Sequence, residues 1–177
     1  MPKLRVQDSV VVIIDVQEKL LNAVFNKELC AKKAAIAAKA ASILGIPVIV
    51  TEQYPKGLGE TISEIKNVLE APKYFEKTAF SAFEDIKDAL VGKKQVIIFG
   101  IETHICVSQT AEALVSKGYE VYVLKDACGS RTETEYLAGL ERMKDNGAHI
   151  LTAEIALFEW LEGAKHPCFK EVQALIK

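Results

Sequence analysis

Three residues with complementary chemistry lie far apart along the chain, at Asp15, Lys77 and Cys106. A cysteine attacks as the thiolate, so a nucleophilic cysteine needs a base that accepts its proton, and an aspartate can serve as that base. A lysine ammonium nearby would stabilise both the carboxylate and the thiolate. These residue types therefore predict nucleophilic catalysis by Cys106, provided that the fold brings the three side chains together.

Each of the three residues also has an ordinary structural interpretation. An aspartate after a first strand often caps the next helix, and a lysine between polar neighbours usually lies on the surface. A small cysteine commonly packs a helix against a sheet. The choice between the chemical and the structural interpretation depends on whether the three positions share one edge of the fold.

The segments around Cys106 predict where it lies. Residues 96–99 are a short β-branched and aromatic run that is typical of a buried strand, and Gly100 can end it. Apolar residues recur at roughly helical spacing over 103–117. Cys106 is therefore predicted in the first turn of a helix that leaves the carboxyl end of a strand, where the helix dipole favours a thiolate. In an open α/β sheet, ligands usually bind at this edge.

Strand-like and helix-like segments alternate along the whole chain, which predicts one α/β domain over residues 1–177 with a doubly wound parallel sheet. Capping boxes predict helix starts at Thr61, Ser81 and Thr132. The predicted strands are 9–14, 47–51, 72–77, 96–99, 120–124 and 148–151. The predicted helices are 16–21, 27–44, 61–69, 81–91, 103–117, 132–146, 152–161 and 167–177.

Composition and charge narrow the class of protein. Half of the 177 residues are hydrophobic and 26% are charged, as in soluble globular proteins. The formal net charge of -2 gives no reason to expect nucleic acid or an anionic membrane as a partner. No apolar run approaches the roughly 18 residues of a membrane span, and residues 1–8 lack a signal-peptide core. We therefore expect a cytoplasmic protein.

The sequence does not predict a metal or a cofactor. No C-x-x-C pair or H-x-x-x-H pattern occurs, and no Gly-rich phosphate loop follows a predicted strand, which argues against a flavodoxin-like nucleotide-binding domain. The cysteines and histidines are scattered instead, at Cys30, Cys106, Cys128, Cys168, His104, His149 and His166.

Three motifs resemble those of the isochorismatase-like cysteine hydrolases, in the same order along the chain. They are Asp15-Val16-Gln17, the segment 76–83 around Lys77, and the segment 100–107 that ends in Cys106-Val107. The resemblance extends over about residues 7–165 and is closest to the isochorismatase domain-containing subgroup, through the segments 51–59, 126–131 and 166–170.

The resemblance implies a Rossmann-like three-layer sandwich with a central, mainly parallel sheet. It implies a catalytic triad of Asp15, Lys77 and Cys106, and a non-proline cis peptide between Ile101 and Glu102. It also implies an oxyanion hole formed by the backbone N–H groups of Glu102 and Cys106. Members of the family usually form homo-oligomers, so we expect this chain to self-associate.

The resemblance is incomplete where nicotinamidases of this superfamily bind a divalent metal. Those enzymes carry an Asp-x-His pair after the second strand, whereas this chain has Glu52-Gln53-Tyr54 there, and no histidine precedes His104. The sequence therefore does not favour a metal site or nicotinamidase activity.

Other residues near the motifs are weaker candidates. Gln17 could hydrogen-bond a substrate or simply begin a helix, and Tyr54 and Phe75 could line an apolar pocket or pack in the core. Contact with a ligand and a purely structural role both remain open for His104 and Arg131, and Cys128 could be a redox-sensitive or a buried structural thiol.

The leading hypothesis is a metal-independent cysteine hydrolase that cleaves an amide-like C–N bond of a small-molecule substrate through a covalent thioester. The alternative is a catalytically silent small-molecule-binding or assembly protein on the same fold.

Overall fold

A six-stranded parallel sheet forms the centre of the computed structural model, which describes residues 2–177. The strands are β1 (Ser9–Ile14), β2 (Val48–Gln53), β3 (Lys73–Lys77), β4 (Gln95–Gly100), β5 (Glu120–Leu124) and β6 (His149–Leu151). Their order across the sheet is β3-β2-β1-β4-β5-β6, and each neighbouring pair is parallel. The predicted strands are confirmed, with ends that differ by at most two residues.

Helices cover both faces of the sheet, so the predicted three-layer α/β architecture is confirmed. They are α1 (Glu18–Ala23), α2 (Lys27–Ile43), α3 (Pro55–Leu58), α4 (Ser63–Lys66), α5 (Phe83–Ile86), α6 (Ser108–Ser116), α7 (Glu133–Asp145), α8 (Ala153–Leu161) and α9 (Phe169–Ala174). Short 3-10 turns lie at Val6–Asp8, Lys87–Leu90 and Lys125–Ala127, and a π-helical segment at Thr103–Val107. Helix α2 contacts α4 and α8, and α6 contacts α5 and α7.

The two central strands explain why the sheet is covered on both sides. Every residue of β1 and β4 is buried, and all but a few of their side chains are apolar. Such strands are stabilised when both of their faces are removed from water. A parallel sheet covered on both sides provides this environment. The register sets Ile14 beside Gly100, so the residues that follow these strands emerge next to each other.

Two of the predicted helix starts are wrong. The Thr61 hydroxyl is buried and donates to Glu52 Oε1 at 2.7 Å, and α4 begins only at Ser63, without a side-chain cap. The helix predicted from Ser81 begins at Phe83 and continues as a 3-10 turn. Of the three predicted caps, Thr132 is the N-cap residue of its helix, and its hydroxyl accepts from the backbone N–H of Glu135 at 3.3 Å.

Gly100 lies where the backbone of the neighbouring strand β1 leaves no room for a side chain. Its φ is +139°, and a Cβ built on it would overlap the carbonyl group of Ile14. Because backbone cannot move aside cheaply in the middle of a sheet, we expect Gly100→Ala to give little folded protein. Gly163, where a Cβ would meet nothing within 4 Å, supplies the control. Circular dichroism and thermal unfolding check this, and a Gly100→Ala protein as stable as Gly163→Ala would contradict it.

Candidate active site

The carboxyl ends of β1, β3 and β4 bring Asp15, Lys77 and Cys106 together. Lys77 Nζ lies 2.7 Å from Asp15 Oδ2, and both side chains are fully buried. The charges of both side chains act on the thiol of Cys106, which is itself buried. The chemical interpretation of the three positions therefore has the geometry that it requires.

The surroundings of Lys77 determine where its protons point. Nζ donates to Gln53 Oε1 at 2.6 Å and to the carbonyl oxygens of Ala79 and Phe80 at 3.0 Å each. An ammonium group has three protons, and these acceptors use all of them. Asp15 Oδ2 is close enough for an ion pair, yet among the described residues it has no hydrogen-bond partner. It is a buried carboxylate oxygen with a positive charge beside it and no proton directed at it.

The other side of the Asp15 carboxylate is fixed. Oδ1 accepts a hydrogen bond from Thr51 Oγ1 at 2.7 Å, and the Asp15 backbone N–H donates to the Thr51 carbonyl at 3.1 Å. Asp15 has a φ of +50°, in the left-handed region that aspartate tolerates better than most residues. The end of β2 therefore orients Asp15, and only Oδ2 is open to a further partner.

The protonation state of Cys106 differs from the prediction. Burial, and next the negative charge of Asp15, raise the pKa of Cys106 to about 12, and Lys77 only partly opposes this. The sequence predicted that a helix N-terminus would favour a thiolate, but the helix dipole is weaker than the loss of hydration in this buried site. At neutral pH the proton is on the sulfur, beside an Asp15 oxygen that can accept it.

The turn before Cys106 is held by backbone hydrogen bonds on both sides. The peptide bond between Ile101 and Glu102 is cis. The Val107 N–H donates to the Glu102 carbonyl at 3.2 Å, a π-helical hydrogen bond in a segment predicted to be ordinary helix. The Thr103 N–H and hydroxyl both donate to the Gly129 carbonyl, at 2.8 and 2.9 Å. Single π-helical turns of this kind occur often at functional sites.

A charged cluster surrounds the side chain of Glu102. Arg131 Nε lies 3.1 Å from Glu102 Oε1, and His104 Nε2 lies 3.6 Å from Glu102 Oε2. His104 Nδ1 also lies 3.1 Å from the hydroxyl of Ser130. His104 and Arg131 therefore contact the turn that leads to Cys106.

Cys128, whose role the sequence left open, is fully buried, and burial raises the pKa of its thiol above the ordinary range.

Comparison with known proteins identifies the family. Residues 9–155 match the family model of the isochorismatase domain. The chain belongs to the isochorismatase family. Isochorismatase domain-containing protein 2 of Xenopus laevis is 39% identical over 178 residues, which cover 98% of this chain and 86% of that protein.

Solved structures of the family share the fold. The MAR1 ribonuclease of Caenorhabditis elegans superposes with a TM-score of 0.96 at 38% identity, covering 99% of this chain and 92% of that chain. The YcaC gene product of Escherichia coli, described as an octameric hydrolase of unknown specificity, has a TM-score of 0.88 at 24% identity, covering 98% and 94%. The second similarity shows the fold alone.

Within this isochorismatase domain, the three predicted substrate contacts lie in different environments. Gln17 is fully buried, and its Nε2 donates to the carbonyls of Gln53 and Gly59 at 3.0 and 2.6 Å. Both amide protons are used, which favours a structural role for Gln17.

Tyr54 is 58% exposed, so its ring is available to a ligand, and its backbone N–H donates to the Lys77 carbonyl at 3.1 Å. Phe75 is partly buried and packs against the core.

The residues at the nicotinamidase metal position have other partners in this isochorismatase domain. Glu52 Oε1 accepts hydrogen bonds from the N–H and the hydroxyl of Thr61, both at 2.7 Å, and Gln53 binds Lys77. Within residues 2–177, no group of three or more His, Cys, Asp or Glu side chains has an arrangement that could hold a metal ion.

None of the helices in residues 2–177 combines the length and the apolar character that a membrane crossing requires.

Sequence reasoning missed two residues that complete the site. Thr51 and Gln53 both lie at the end of β2, and they hold Asp15 and Lys77 respectively. Their position could have indicated them, because β2 was predicted as a strand of the same parallel sheet as β1, and the carboxyl ends of neighbouring parallel strands lie side by side. A threonine hydroxyl without an activating base is a weak nucleophile, and a glutamine amide is neither a nucleophile nor a base at neutral pH, so chemistry alone did not single them out.

Proposed function

We propose that this protein is a metal-independent cysteine hydrolase that cleaves an amide-like C–N bond in a small molecule. One observation carries the proposal: among the described residues, Asp15 Oδ2 is a buried acceptor without a hydrogen bond, and the charge of Asp15 acts on the Cys106 thiol, whose pKa is raised to about 12. The Cys106 thiol needs a base, and Asp15 is the carboxylate whose charge acts on it.

The first half of the reaction transfers an acyl group to sulfur. Asp15 Oδ2 takes the proton of Cys106 as the sulfur attacks the substrate carbonyl carbon, and the carbonyl π electrons move to oxygen. The C–N bond then breaks, and the proton on Asp15 passes to the departing nitrogen. The products of this half are a free amine, or ammonia, and a thioester on Cys106.

The second half regenerates the thiol. Asp15 removes a proton from water as the water oxygen attacks the thioester carbon. The C–S bond breaks, and the proton returns from Asp15 to the Cys106 sulfur. The acyl group leaves as a carboxylic acid, so one water is consumed in each cycle.

Lys77 acts in this scheme as a fixed positive charge. Its three protons are held by Gln53, Ala79 and Phe80, so it has no proton directed at the reacting atoms. A charge 2.7 Å from Asp15 Oδ2 pairs with the carboxylate in a buried site and favours a transient thiolate.

The backbone N–H groups of Glu102 and Cys106 are the proposed oxyanion hole. Among the described residues, the Glu102 N–H has no backbone acceptor, whereas the N–H groups on either side of it, of Ile101 and Thr103, are both paired. A preorganised donor of this kind stabilises charge that develops on the carbonyl oxygen.

Two further features of the proposal concern the substrate and the assembly. Cys106 is only 7% exposed, which favours a small substrate, and the exposed ring of Tyr54 is the candidate wall of its binding site. Self-association is also proposed, on the resemblance to a family whose members usually form homo-oligomers; the E. coli YcaC gene product, which shares the fold, is described as octameric.

A panel of small amides tests the proposed activity, with the wild-type protein and Cys106→Ala side by side. We expect hydrolysis of at least one amide by the wild type and none by Cys106→Ala, because no other group in the site can form the thioester. Ligand binding without turnover by the wild type would instead support the silent binding protein.

Ribonuclease activity is a second candidate, because the C. elegans relative at 38% identity is described as a ribonuclease. The formal net charge of -2 gives the chain little electrostatic attraction for a phosphate backbone. Single-stranded RNA therefore belongs in the same panel, and RNA cleavage that persists in Cys106→Ala would favour a site other than the one described.

A further inference from the structure

The side chain of Gln53 bridges the end of β2 to the end of β3. Its Oε1 accepts the shortest of the three Lys77 hydrogen bonds, at 2.6 Å, and its Nε2 donates to the Thr78 carbonyl at 2.8 Å. Its backbone is fastened by Gln17, whose Oε1 accepts from the Gln53 N–H at 2.7 Å and whose Nε2 donates to the Gln53 carbonyl at 3.0 Å. The Gln53 amide is thus held in one orientation, with its oxygen toward Lys77.

We propose that Gln53 is a positioning residue that holds a Lys77 proton away from Asp15 Oδ2 and so keeps this oxygen free to take the proton of Cys106. The inference rests on the proposed function for its account of Asp15 and Cys106. It adds a residue that touches neither substrate nor sulfur and acts through Lys77.

The nitrogen of Lys77 has more acceptors around it than it has protons. Four oxygens lie within 3.0 Å of Lys77 Nζ, from Asp15, Gln53, Ala79 and Phe80, and only three protons are available. Two of the four are backbone carbonyls, whose positions the chain fixes. Gln53 is therefore the side chain that decides whether Asp15 Oδ2 receives the third proton.

Removal of the Gln53 oxygen would release one proton of Lys77, and its nearest acceptor would be Asp15 Oδ2 at 2.7 Å. A carboxylate oxygen that already accepts a charge-assisted hydrogen bond is a poorer base. The charge of Asp15 would also act less strongly on Cys106, so its thiol would ionise more easily. Loss of Gln53 should therefore make Cys106 easier to alkylate but slower in catalysis, two opposite changes that general damage to the site would not produce.

The charged groups that act on Cys106 are Asp15 and Lys77. Glu52, the neighbour of Gln53 on β2, is bound to Thr61. A change at Gln53 thus reaches the sulfur through the Asp15–Lys77 pair.

Gln53→Met and Gln53→Glu form the matched pair of variants, since both lose the hydrogen bond from Nε2 to Thr78 and only the methionine loses the acceptor. The probes are iodoacetamide at pH 8, with the modified peptides mapped, and hydrolysis of p-nitrophenyl acetate. For Gln53→Met we expect alkylation of Cys106 to be about tenfold faster, the equivalent of one pKa unit, and hydrolysis to be about tenfold slower or more. For Gln53→Glu, which keeps an acceptor and adds negative charge, we expect slower alkylation than in the wild type.

The proposal is overturned if both variants change the alkylation rate in the same direction, or if Gln53→Met hydrolyses the ester as fast as the wild type. Circular dichroism establishes that each variant is folded, and Gln53→Asn, which withdraws the amide by one methylene, replaces Gln53→Met if that variant does not fold. A wild type without Cys106-dependent hydrolysis is a failure of the proposed function instead, and the alkylation rates then decide the role of Gln53 by themselves.

Discussion

Replacement of Asp15 by asparagine is expected to slow hydrolysis by about 10²- to 10⁴-fold, the usual contribution of a general base, while Cys106 becomes easier to alkylate. Hydrolysis is lost because the amide cannot take the proton of the thiol, return it to the departing nitrogen or activate water. Asparagine preserves the shape of the site, since its oxygen can still accept from Thr51 and its backbone tolerates a φ of +50°.

The gain in alkylation follows from the sign of the electrostatic effect. Burial and then the charge of Asp15 raise the pKa of Cys106 to about 12, and Lys77 acts in the opposite direction. Without the Asp15 charge, the pKa of Cys106 falls, and the thiolate fraction at pH 8 rises. The rate of reaction with iodoacetamide, measured from pH 7 to 10, should therefore be higher for Asp15→Asn at every pH in this range.

Asp126→Asn is the matched control for Asp15→Asn. Asp126 also follows a strand end, but it accepts from the Ala153 N–H at 2.8 Å and lies 3.9 Å from Lys33 Nζ. It should change neither rate at Cys106. Hydrolysis by Asp15→Asn at the wild-type rate would contradict the role of Asp15 as the base.

Replacement of Lys77 by methionine is expected to lower the free energy of unfolding by about 3–5 kcal/mol, because it leaves Asp15 buried without its ion-pair partner. The same change leaves Gln53 Oε1 without the proton that it accepts at 2.6 Å, which adds to the loss. Urea unfolding at pH 7, followed by circular dichroism, measures the difference.

Lys87→Met provides the control, because Lys87 forms an exposed ion pair with Glu84 at 2.7 Å, and solvent already screens both charges. We expect almost no change in its urea midpoint. In the double variant Lys77→Met/Asp15→Asn, no buried charge is left unpaired, so part of the lost stability should return. If Lys77→Met is as stable as Lys87→Met, the buried ion pair does not have the energetic role assigned to it.

Much of the fold could be predicted from the sequence, because its strands are unusually clear. The continuous apolar runs of β1 and β4 leave little choice but a covered parallel sheet, and Gly100 marks the end of the second run. The short helices were harder to predict. The hydroxyl of Thr61 binds Glu52 instead of capping α4, a contact between residues whose meeting depends on the tertiary structure.

Residue types along the chain suggested the chemistry of the site. They did not show which groups carry protons or where those protons point. The approach of Asp15, Lys77 and Cys106 follows from their places after parallel strands, together with the family resemblance. The neutral state of Cys106 depends first on burial, which raises its pKa and has no local sequence signal. The role of Gln53 depends on which oxygens surround Lys77 Nζ, and no sequence pattern states that.

Gln17 is a residue whose role the sequence left open. Its position two residues after Asp15 made it a candidate for substrate binding, yet both of its amide protons are bound to backbone carbonyls. The sequence alone could not decide between substrate binding and a structural role for Gln17.

The most direct test of Cys106 as the nucleophile is mass spectrometry of the acyl group after a brief reaction with p-nitrophenyl acetate. Wild-type protein quenched in acid should carry one acetyl group, and peptide mapping should place it on Cys106 and not on Cys30, Cys128 or Cys168. The group should disappear as the thioester hydrolyses, and Cys106→Ala should acquire none at this rate. Acetylation spread over other residues, or hydrolysis by Cys106→Ala at the wild-type rate, would contradict a catalytic thioester at Cys106.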